Sequence, residues 1–130
     1  MPLIPTENAG TRNYTENGNE KEEQSMQFTS FLQDGRLTVA LTGEIDHHCA
    51  KAYISGIAAK IEAYTPDVCI LDFRDVTFMD SSGIAVVINA LRAMAQIEGR
   101  LVLSGISPQP MKVFRASGID KLVEIKEAVS

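Results

Sequence analysis

The hydrophobic and polar residues of the chain first take up a regular pattern near residue 27. Residues 27–32 and 36–42 predict two β-strands, and in the second strand apolar residues alternate with polar or small ones, as on a sheet with one apolar face. Asp34-Gly35 lies between the two runs, and this dipeptide is a strong hairpin signal because the tight turn requires positive φ angles. The pattern therefore predicts an antiparallel hairpin at the start of the folded region.

Three later segments have the pattern of further strands. Residues 68–71 are continuously apolar, which is typical of a strand buried on both faces, and we predict this central strand over residues 68–73. Residues 101–103 predict another buried strand, parallel to the central one, and residues 122–125 predict a short final strand.

Helical spacing separates these strands. Residues 50–64 predict a first helix, for which Asp46 is a favourable N-cap and Thr65-Pro66 a stop signal. The predicted buried stripe of this helix consists of Ile54, Ile57, Ala58 and Ile61.

Two more helices follow. The second is predicted from about residue 82 to residue 98, with Gly99 as the C′ residue. The third begins at Pro108 after the N-cap Ser107 and ends at Gly118.

The order of these elements predicts an α/β domain. Its sheet should be mixed but mostly parallel, with four or five strands, an opening hairpin and three or four helices. Residues 44–47 and residues 80–83 both lie at helix entrances that follow strands, and α/β sheets place their ligand sites at that end. We therefore expect the two segments to form one surface.

Residues 80–82, Asp-Ser-Ser, stand in the predicted connection between the central strand and the second helix. A serine there can cap the free backbone N–H groups of the helix. If a serine carried a phosphate, the same donors and the positive end of the helix dipole would receive the anion. The spacing does not decide whether Ser81 or Ser82 is the cap, or whether both serve only as helix caps.

Composition and charge narrow the possible partners. The net charge of −5 argues against direct binding of nucleic acid, which needs clustered Lys and Arg. Asn89 and Arg92 interrupt the most apolar helical segment, and no basic-then-apolar signal precedes the domain, so we expect no membrane association. Without an export signal, Cys49 and Cys69 are expected to be reduced thiols in a cytoplasmic protein.

Residues 1–25 differ in composition from the rest of the chain. They carry −3 of the net charge, because five acidic residues stand against Arg12 and Lys21: Glu7, Glu16, Glu20, Glu22 and Glu23. Too little apolar surface is present to offset the entropy of ordering. We therefore predict a flexible acidic N-terminal tail over residues 1–25 and one folded domain over residues 26–130.

No pattern of residues indicates catalysis. Successive helical side chains point about 100° apart, so Asp-His-His-Cys at residues 46–49 does not converge on one metal ion. The turn at residues 80–83 lacks the Gly-x-Ser-x-Gly pattern of hydrolases, and no Gly-rich phosphate loop followed by Lys is present. We predict no catalytic residues, no metal and no cofactor, and the chain is interpreted as a substrate and a binding module.

Three motifs occur in a defined order: Leu-Thr-Gly-Glu-Ile-Asp-His-His at residues 41–48, Phe-Met-Asp-Ser-Ser-Gly at residues 78–83 and Ile-Ser-Pro at residues 106–108. They closely resemble the anti-sigma factor antagonists, the single STAS-domain proteins of bacterial sigma-factor switches, and most of all the sporulation type. The resemblance extends from about residue 26 to the C-terminus and implies the STAS fold.

The resemblance also implies a phosphorylation switch. Ser82, or alternatively Ser81, would be phosphorylated by an anti-sigma factor that is also a serine kinase, and a serine phosphatase would reverse the reaction. The unphosphorylated protein would bind the anti-sigma factor and release the sigma factor. The predicted partner-binding residues are Glu44, Asp46, His47, Asp80, Ser81, Gly83 and Ile84.

Two of these positions leave questions open. Gly83 either lets the active site of a partner approach Ser82 closely or is a plain turn glycine. Cys49 departs from the family pattern, which commonly has a small hydroxyl residue there.

Two functions of other classes compete with the switch. The chain could be a STAS scaffold without phosphorylation in a stress-signalling assembly, or a regulatory subunit of a membrane transporter. The predicted tail is short for a sensor domain, and the sequence contains no apolar segment long enough to span a membrane.

Overall fold

A computed structural model of the chain describes residues 28–126. The predicted tail, residues 1–25, and residues 127–130 lie outside the described residues. The elements are β1 (Phe28–Gln33), β2 (Arg36–Ile45), α1 (His47–Tyr64), β3 (Val68–Met79), α2 (Ser82–Gln96), β4 (Arg100–Ser104), α3 (Pro108–Ser117), a 3-10 turn (Ile119–Lys121) and β5 (Glu124–Lys126).

The five strands form one mixed sheet in the order β1-β2-β3-β4-β5. β1 pairs antiparallel with β2, and every later pair is parallel. At the hairpin, Asp34 and Gly35 have φ angles of 54° and 76°, the two positive values that a type I′ turn requires. The predicted α/β fold, with its opening hairpin and parallel continuation, is confirmed.

β2 and β3 both extend further than predicted. β2 runs to Ile45 and β3 to Met79, and the register pairs Glu44 with Phe78 and Ile45 with Met79. Two register shifts interrupt this pairing, and Gly43 at the second shift has a φ of 77°. Residues 43–45, beyond the predicted end of the second strand, are therefore part of a paired strand, which brings residues 44–45 directly beside the end of β3.

The helices cover one face of the sheet, here called the front face. Alternate positions of three strands lie on it, at most 4% exposed: Leu37, Val39, Leu41, Cys69, Leu71, Phe73, Leu101 and Leu103. Tyr53 of α1, Val87 of α2 and Phe114 of α3 belong to the same core. The rings of Phe73 and Phe114 meet edge to face, with 5.4 Å between their centroids.

The opposite side, here called the back face, carries the remaining positions of the same strands. Val68 and Ile70 of β3 are partly exposed there, although Val102 of β4 is buried. A groove on this face is lined by strand residues and Gly105 rather than by helices. The prediction that the central strand is buried on both faces is therefore wrong for β3 within residues 28–126.

The buried stripe of α1 and the end of α2 differ in detail from the prediction. In α1 the buried residues include Ala50 and Tyr53 instead of Ile54 and Ala58, so the stripe is turned slightly around the helix.

α2 ends at Gln96, and Glu98 rather than Gly99 takes the left-handed conformation, with a φ of 59°. Gly99 is required by close packing, because a Cβ there would overlap the Met94 side chain and lie 3.0 Å from the Asp67 carbonyl oxygen.

Candidate functional site

The two predicted motif segments meet at the end of the sheet where β2 and β3 finish. The Asp80 amide donates a hydrogen bond to the Ile45 carbonyl at 3.1 Å, one residue after the last strand pair. α1 begins at His47 and α2 at Ser82, so two helix entrances stand side by side. The expected juxtaposition of residues 44–47 and 80–83 is confirmed.

Asp46 forms the entrance of α1 as predicted. Its carboxylate accepts hydrogen bonds from the amides of His48 at 3.0 Å and Cys49 at 3.3 Å. Desolvation opposes ionisation of this side chain, but the Cys49 and His48 amides outweigh it and lower the pKa of Asp46. Asp46 is therefore an ionised cap at neutral pH, held in place by the helix that it begins.

Cys49 makes a further hydrogen bond at the entrance of α1. Its thiol donates to the Glu44 carbonyl, with 3.3 Å between sulfur and oxygen. Burial and the nearby Asp46 carboxylate raise the pKa of the Cys49 thiol, so it remains a protonated donor. The departure from the family pattern thus preserves a side chain that can donate a hydrogen bond.

The entrance of α2 is capped by Asp80 and not by a serine. Asp80 Oδ1 accepts a hydrogen bond from the Ser82 amide at 2.7 Å. Ser81 occupies the N-cap position but has helical backbone angles, φ −65° and ψ −13°, and makes no side-chain cap bond. The expectation that one of the two serines caps the helix is wrong, because the Asp80 carboxylate already accepts the hydrogen bond from the Ser82 amide.

Both serine hydroxyls are consequently unengaged. Among the residues that the structure describes, neither the Ser81 nor the Ser82 hydroxyl takes part in a hydrogen bond. Ser81 is exposed and Ser82 partly exposed. Each hydroxyl is chemically available, and no base within residues 28–126 is hydrogen-bonded to either one.

Gly83 has a structural role inside the domain. It is a buried residue in the first turn of α2, and a Cβ on it would overlap the sulfur and Cγ of Met79. Close packing of the helix against the end of β3 therefore explains this glycine without a partner and without a positive φ.

The predicted partner-binding residues differ in how far they reach solvent. Glu44 and His47 are exposed, and Asp46, Asp80 and Ile84 are partly exposed. The rings of His47 and His48 lie against each other with 4.0 Å between centroids. No group of three or more potential metal ligands occurs within residues 28–126.

Two residues of the site were missed by sequence reasoning. Phe78, the strand partner of Glu44, is 44% exposed at the end of β3. The predicted strand ended at residue 73, so the sequence did not show that Phe78 lies in β3 with its side chain exposed.

Gln109 of α3 is the second missed residue. Its side-chain amide accepts from the Met79 amide and donates to the Met79 carbonyl, both at 2.8 Å. Ser107 occupies the N-cap position of α3 as predicted, but its hydroxyl makes no cap bond and donates to the Val76 carbonyl at 3.4 Å. These contacts replace the strand pairing that β3 lacks beyond Asp72, where β4 ends, and they fix the backbone immediately before Asp80.

No helix within residues 28–126 is long and apolar enough to cross a membrane. Both cysteines in this range are free thiols, with Cys69 buried in β3.

Comparison with known proteins places this arrangement in a family. The STAS domain family model matches residues 31–130. An anti-sigma F factor antagonist of Lysinibacillus sphaericus is 35% identical over 83 residues, which cover 64% of this chain and 71% of the relative. An anti-sigma-B factor antagonist of Listeria monocytogenes is 29% identical over 93 residues, covering 69% of this chain and 78% of the relative.

Solved structures agree with the sequence relatives. The unphosphorylated form of the anti-sigma factor antagonist SpoIIAA superposes with a TM-score of 0.70 at 29% identity, covering 79% of this chain and 89% of that one. The phosphorylated form of the Bacillus protein SpoIIAA gives a TM-score of 0.64 at 29% identity, covering 79% and 92%. The chain therefore belongs to the STAS domain family, with anti-sigma factor antagonists among its relatives.

Proposed function

We propose that this protein is an anti-sigma factor antagonist that is switched off by phosphorylation of Ser82. In its unphosphorylated form it binds a cognate anti-sigma factor with serine kinase activity and causes release of the sigma factor. The observation that carries the proposal is the unengaged Ser82 hydroxyl at the entrance of α2, beside the entrance of α1, in a chain whose relatives are anti-sigma factor antagonists.

The chain acts here as the substrate of the phosphoryl transfer. The kinase transfers the γ-phosphoryl group of ATP to Ser82 Oγ, ADP leaves, and the hydroxyl proton passes to a base of the kinase. No base within residues 28–126 is hydrogen-bonded to the Ser82 hydroxyl, so we assign this base to the partner kinase. A separate serine phosphatase then returns the protein to its binding form.

Phosphorylation is expected to leave the fold unchanged. The phosphate adds about −1.5 to −2 charges near neutral pH. The positive end of α2 favours an anion by about 0.3–1 kcal/mol. Asp80, whose carboxylate is bonded to the Ser82 amide, opposes the anion by repulsion. The two effects are small and of opposite sign, and both forms of SpoIIAA match the same fold.

The effect on partner binding is larger. The proposed contact surface includes Glu44, Asp46 and Asp80, so the partner is expected to present complementary donors. A doubly charged group among these carboxylates must be desolvated against a surface that fitted a neutral hydroxyl. Binding is therefore lost through misfit and repulsion at the interface.

Phe78 and Ile84 supply the apolar part of the same surface. Phe78 is 44% exposed beside Glu44, and Ile84 is partly exposed in the first turn of α2. Exposed aromatic side chains at the centre of a polar patch commonly contribute much of the affinity of an interface. We therefore add Phe78 to the proposed partner-binding residues.

Mass spectrometry after incubation with ATP and the cognate kinase tests the proposal. One phosphate is expected on the peptide containing Ser82 in the wild type and in Ser81→Ala, and none in Ser82→Ala. A phosphate that persists in Ser82→Ala and disappears in Ser81→Ala would move the acceptor to Ser81. Absence of phosphate from all three proteins, with the kinase active on another substrate, would contradict the switch.

A further inference from the structure

The back face of the sheet carries an apolar strip between positive charges. Strand register sets two adjacent rows across this face, which are Arg36, Val68 and Arg100, then Phe31, Thr38, Ile70 and Val102. Phe31 in the second row is 62% exposed. The face therefore presents apolar side chains in the position where other α/β sheets have a second layer.

A groove of about 420 Å³ follows this strip. Val68, Ile70 and Val102 line it together with Arg36, Arg100 and Lys126, among others. A smaller hollow of about 180 Å³ adjoins it on the side of β1, shares Arg36 and includes Phe31. The two hollows extend the groove from the edge strand β1 to β5.

The charge of the groove is positive. Arg74 is paired with Asp72 at 2.8 Å, and Arg100 with Glu124 at 3.3 Å. Arg36 and Lys126 form no ion pair within residues 28–126. These two cations stand on opposite strands of the groove and remain available to an anionic occupant.

Parallel sheets in α/β proteins are usually covered on both faces. Here the helices cover only the front face, and the back face of the four parallel strands β2 to β5 is open within residues 28–126. An apolar strip of this kind, bordered by charges, is typical of a surface that binds another segment or protein.

Residues 16–25 of the same chain have the matching charge. They contain four acidic residues and one basic residue, a net charge of −3: Glu16, Glu20, Glu22, Glu23 and Lys21. This segment is connected to the domain by a short stretch of chain, so its effective concentration at the groove is high. It can therefore bind the groove even if its intrinsic affinity is low.

The length of this segment suffices for the required path. β1 begins at Phe28, opposite Leu41, on the edge of the sheet. Strands lie about 4.8 Å apart, so the path from β1 to β5 is roughly 19 Å, and Arg36 lies roughly another 17 Å along β2 from Leu41. Residues 16–27 can span up to about 40 Å when extended.

We infer that residues 16–25 bind across the back face of the sheet of their own domain, with their carboxylates against Arg36 and Lys126. This inference does not depend on the phosphorylation switch, because the back face and the helix entrances involve different residues. The acidic segment is held by ion pairs with these two cations and lies over the apolar side chains of the groove.

Carbodiimide cross-linking of the full chain tests the inference, since the reagent joins a carboxylate to a neighbouring lysine as an amide. Peptide mass spectrometry should find Glu16, Glu20, Glu22 or Glu23 joined to Lys126 within one molecule. Exposed Lys51 on α1 and Lys112 on α3 serve as controls, and their yields should be several-fold lower. High salt should reduce the Lys126 product, because it screens the attraction.

A charge reversal provides the matched control. Arg36→Glu should lower the yield at Lys126 several-fold, whereas Arg92→Glu, at an exposed position of α2, should leave it unchanged. Equal yields at all three lysines, or no effect of Arg36→Glu, would overturn the inference. In an equal mixture of unlabelled and isotope-labelled protein, an intramolecular product joins only peptides with the same label. If about half of the products joined a labelled to an unlabelled peptide, the inference would be overturned and the occupant would be a second copy.

Discussion

At the start of α2, the carboxylate of Asp80 and the hydroxyl of Ser82 have separate tasks. Asp80 satisfies the Ser82 amide, so the helix entrance is complete without a serine cap. The hydroxyl of Ser82 is therefore not needed for the fold, and a modification there need not remove any hydrogen bond that holds the domain together. The proposed phosphorylation of Ser82 would therefore leave the hydrogen bond at this helix entrance in place.

Replacing Asp80 with Ala should destabilise the domain by about 1 kcal/mol, because the Ser82 amide loses its acceptor. Asp80→Asn retains an acceptor oxygen and should cost less than half as much. Urea unfolding of the two variants and the wild type measures the difference. Ser81→Ala and Ser82→Ala serve as controls and should both be close to the wild type. A large loss of stability in Ser82→Ala would contradict the assignment of the cap to Asp80.

Ser82→Asp should weaken binding to the anti-sigma factor by at least tenfold, about 1.4 kcal/mol, because it places a charge where the interface fits a hydroxyl. Ser81→Asp adds the same charge one residue earlier, at a more exposed position. It should weaken binding less, and calorimetry with the same partner measures both. Wild-type affinity of Ser82→Asp would favour the scaffold or transporter-regulator function over the switch.

At the scale of elements, the site depends on the unequal lengths of β3 and β4. β4 pairs with β3 only as far as Asp72, so the backbone at the end of β3 lacks a strand partner on that side. Gln109 supplies one donor and one acceptor to Met79, as a neighbouring strand would. α3 therefore positions the segment that carries Asp80 and Ser82, although α3 contains none of the predicted site residues.

Gln109→Ala should destabilise the domain by about 1–3 kcal/mol, since it removes two hydrogen bonds worth roughly 0.5–1.5 kcal/mol each. Amide hydrogen exchange at Met79 and Asp80 should accelerate more than exchange in β2. Gln96→Ala at the exposed end of α2 is the control and should change neither quantity. Unchanged exchange at Met79 in Gln109→Ala would show that the two Gln109 hydrogen bonds do not hold the end of β3 in place.

The sequence predicted the type and order of the elements better than their extent. Asp34-Gly35 identifies the hairpin locally, because few dipeptides accept two positive φ angles. The ends of β2 and β3 could not be predicted, since Glu44 and Thr77 are polar and their strand conformation depends on pairing between distant segments. Gln109 gave no signal for the same reason: its partner lies 30 residues away.

The serine cap was predicted wrongly because several polar residues compete for one donor. Asp80, Ser81 and Ser82 all have side chains suited to helix entrances, and only the backbone path decides which one reaches the Ser82 amide. The motif therefore located the site correctly but did not assign the roles within it.

In the whole molecule, the sheet separates three regions with different tasks. The front face and the helices form the core, the end of β2 and β3 carries the proposed phosphorylation site, and the back face holds the positively charged groove. Because these regions use different residues, stability can be measured separately from either binding surface.

Cys69 offers such a measurement through the pH dependence of stability. Burial near the start of β3 raises the pKa of the Cys69 thiol to about 12. In the unfolded chain the thiol has a pKa of about 8.5 and ionises first, so the folded state loses stability as pH rises through this range. The loss should approach about 1.4 kcal/mol per pH unit between the two pKa values. Below about pH 7 the thiol is protonated in both states and contributes no pH dependence.

Cys69→Val removes this titration at similar side-chain volume, so the two proteins should diverge only in alkali. The free energy of unfolding, measured with urea from pH 7 to pH 10.5, should fall more steeply for the wild type than for Cys69→Val. The two proteins share every other ionisable group, so the contributions of those groups cancel in the difference. A difference that stays constant across this range would mean that the thiol ionises as easily in the folded protein as in the unfolded chain. That result would contradict the burial of Cys69 beneath the helices of the front face.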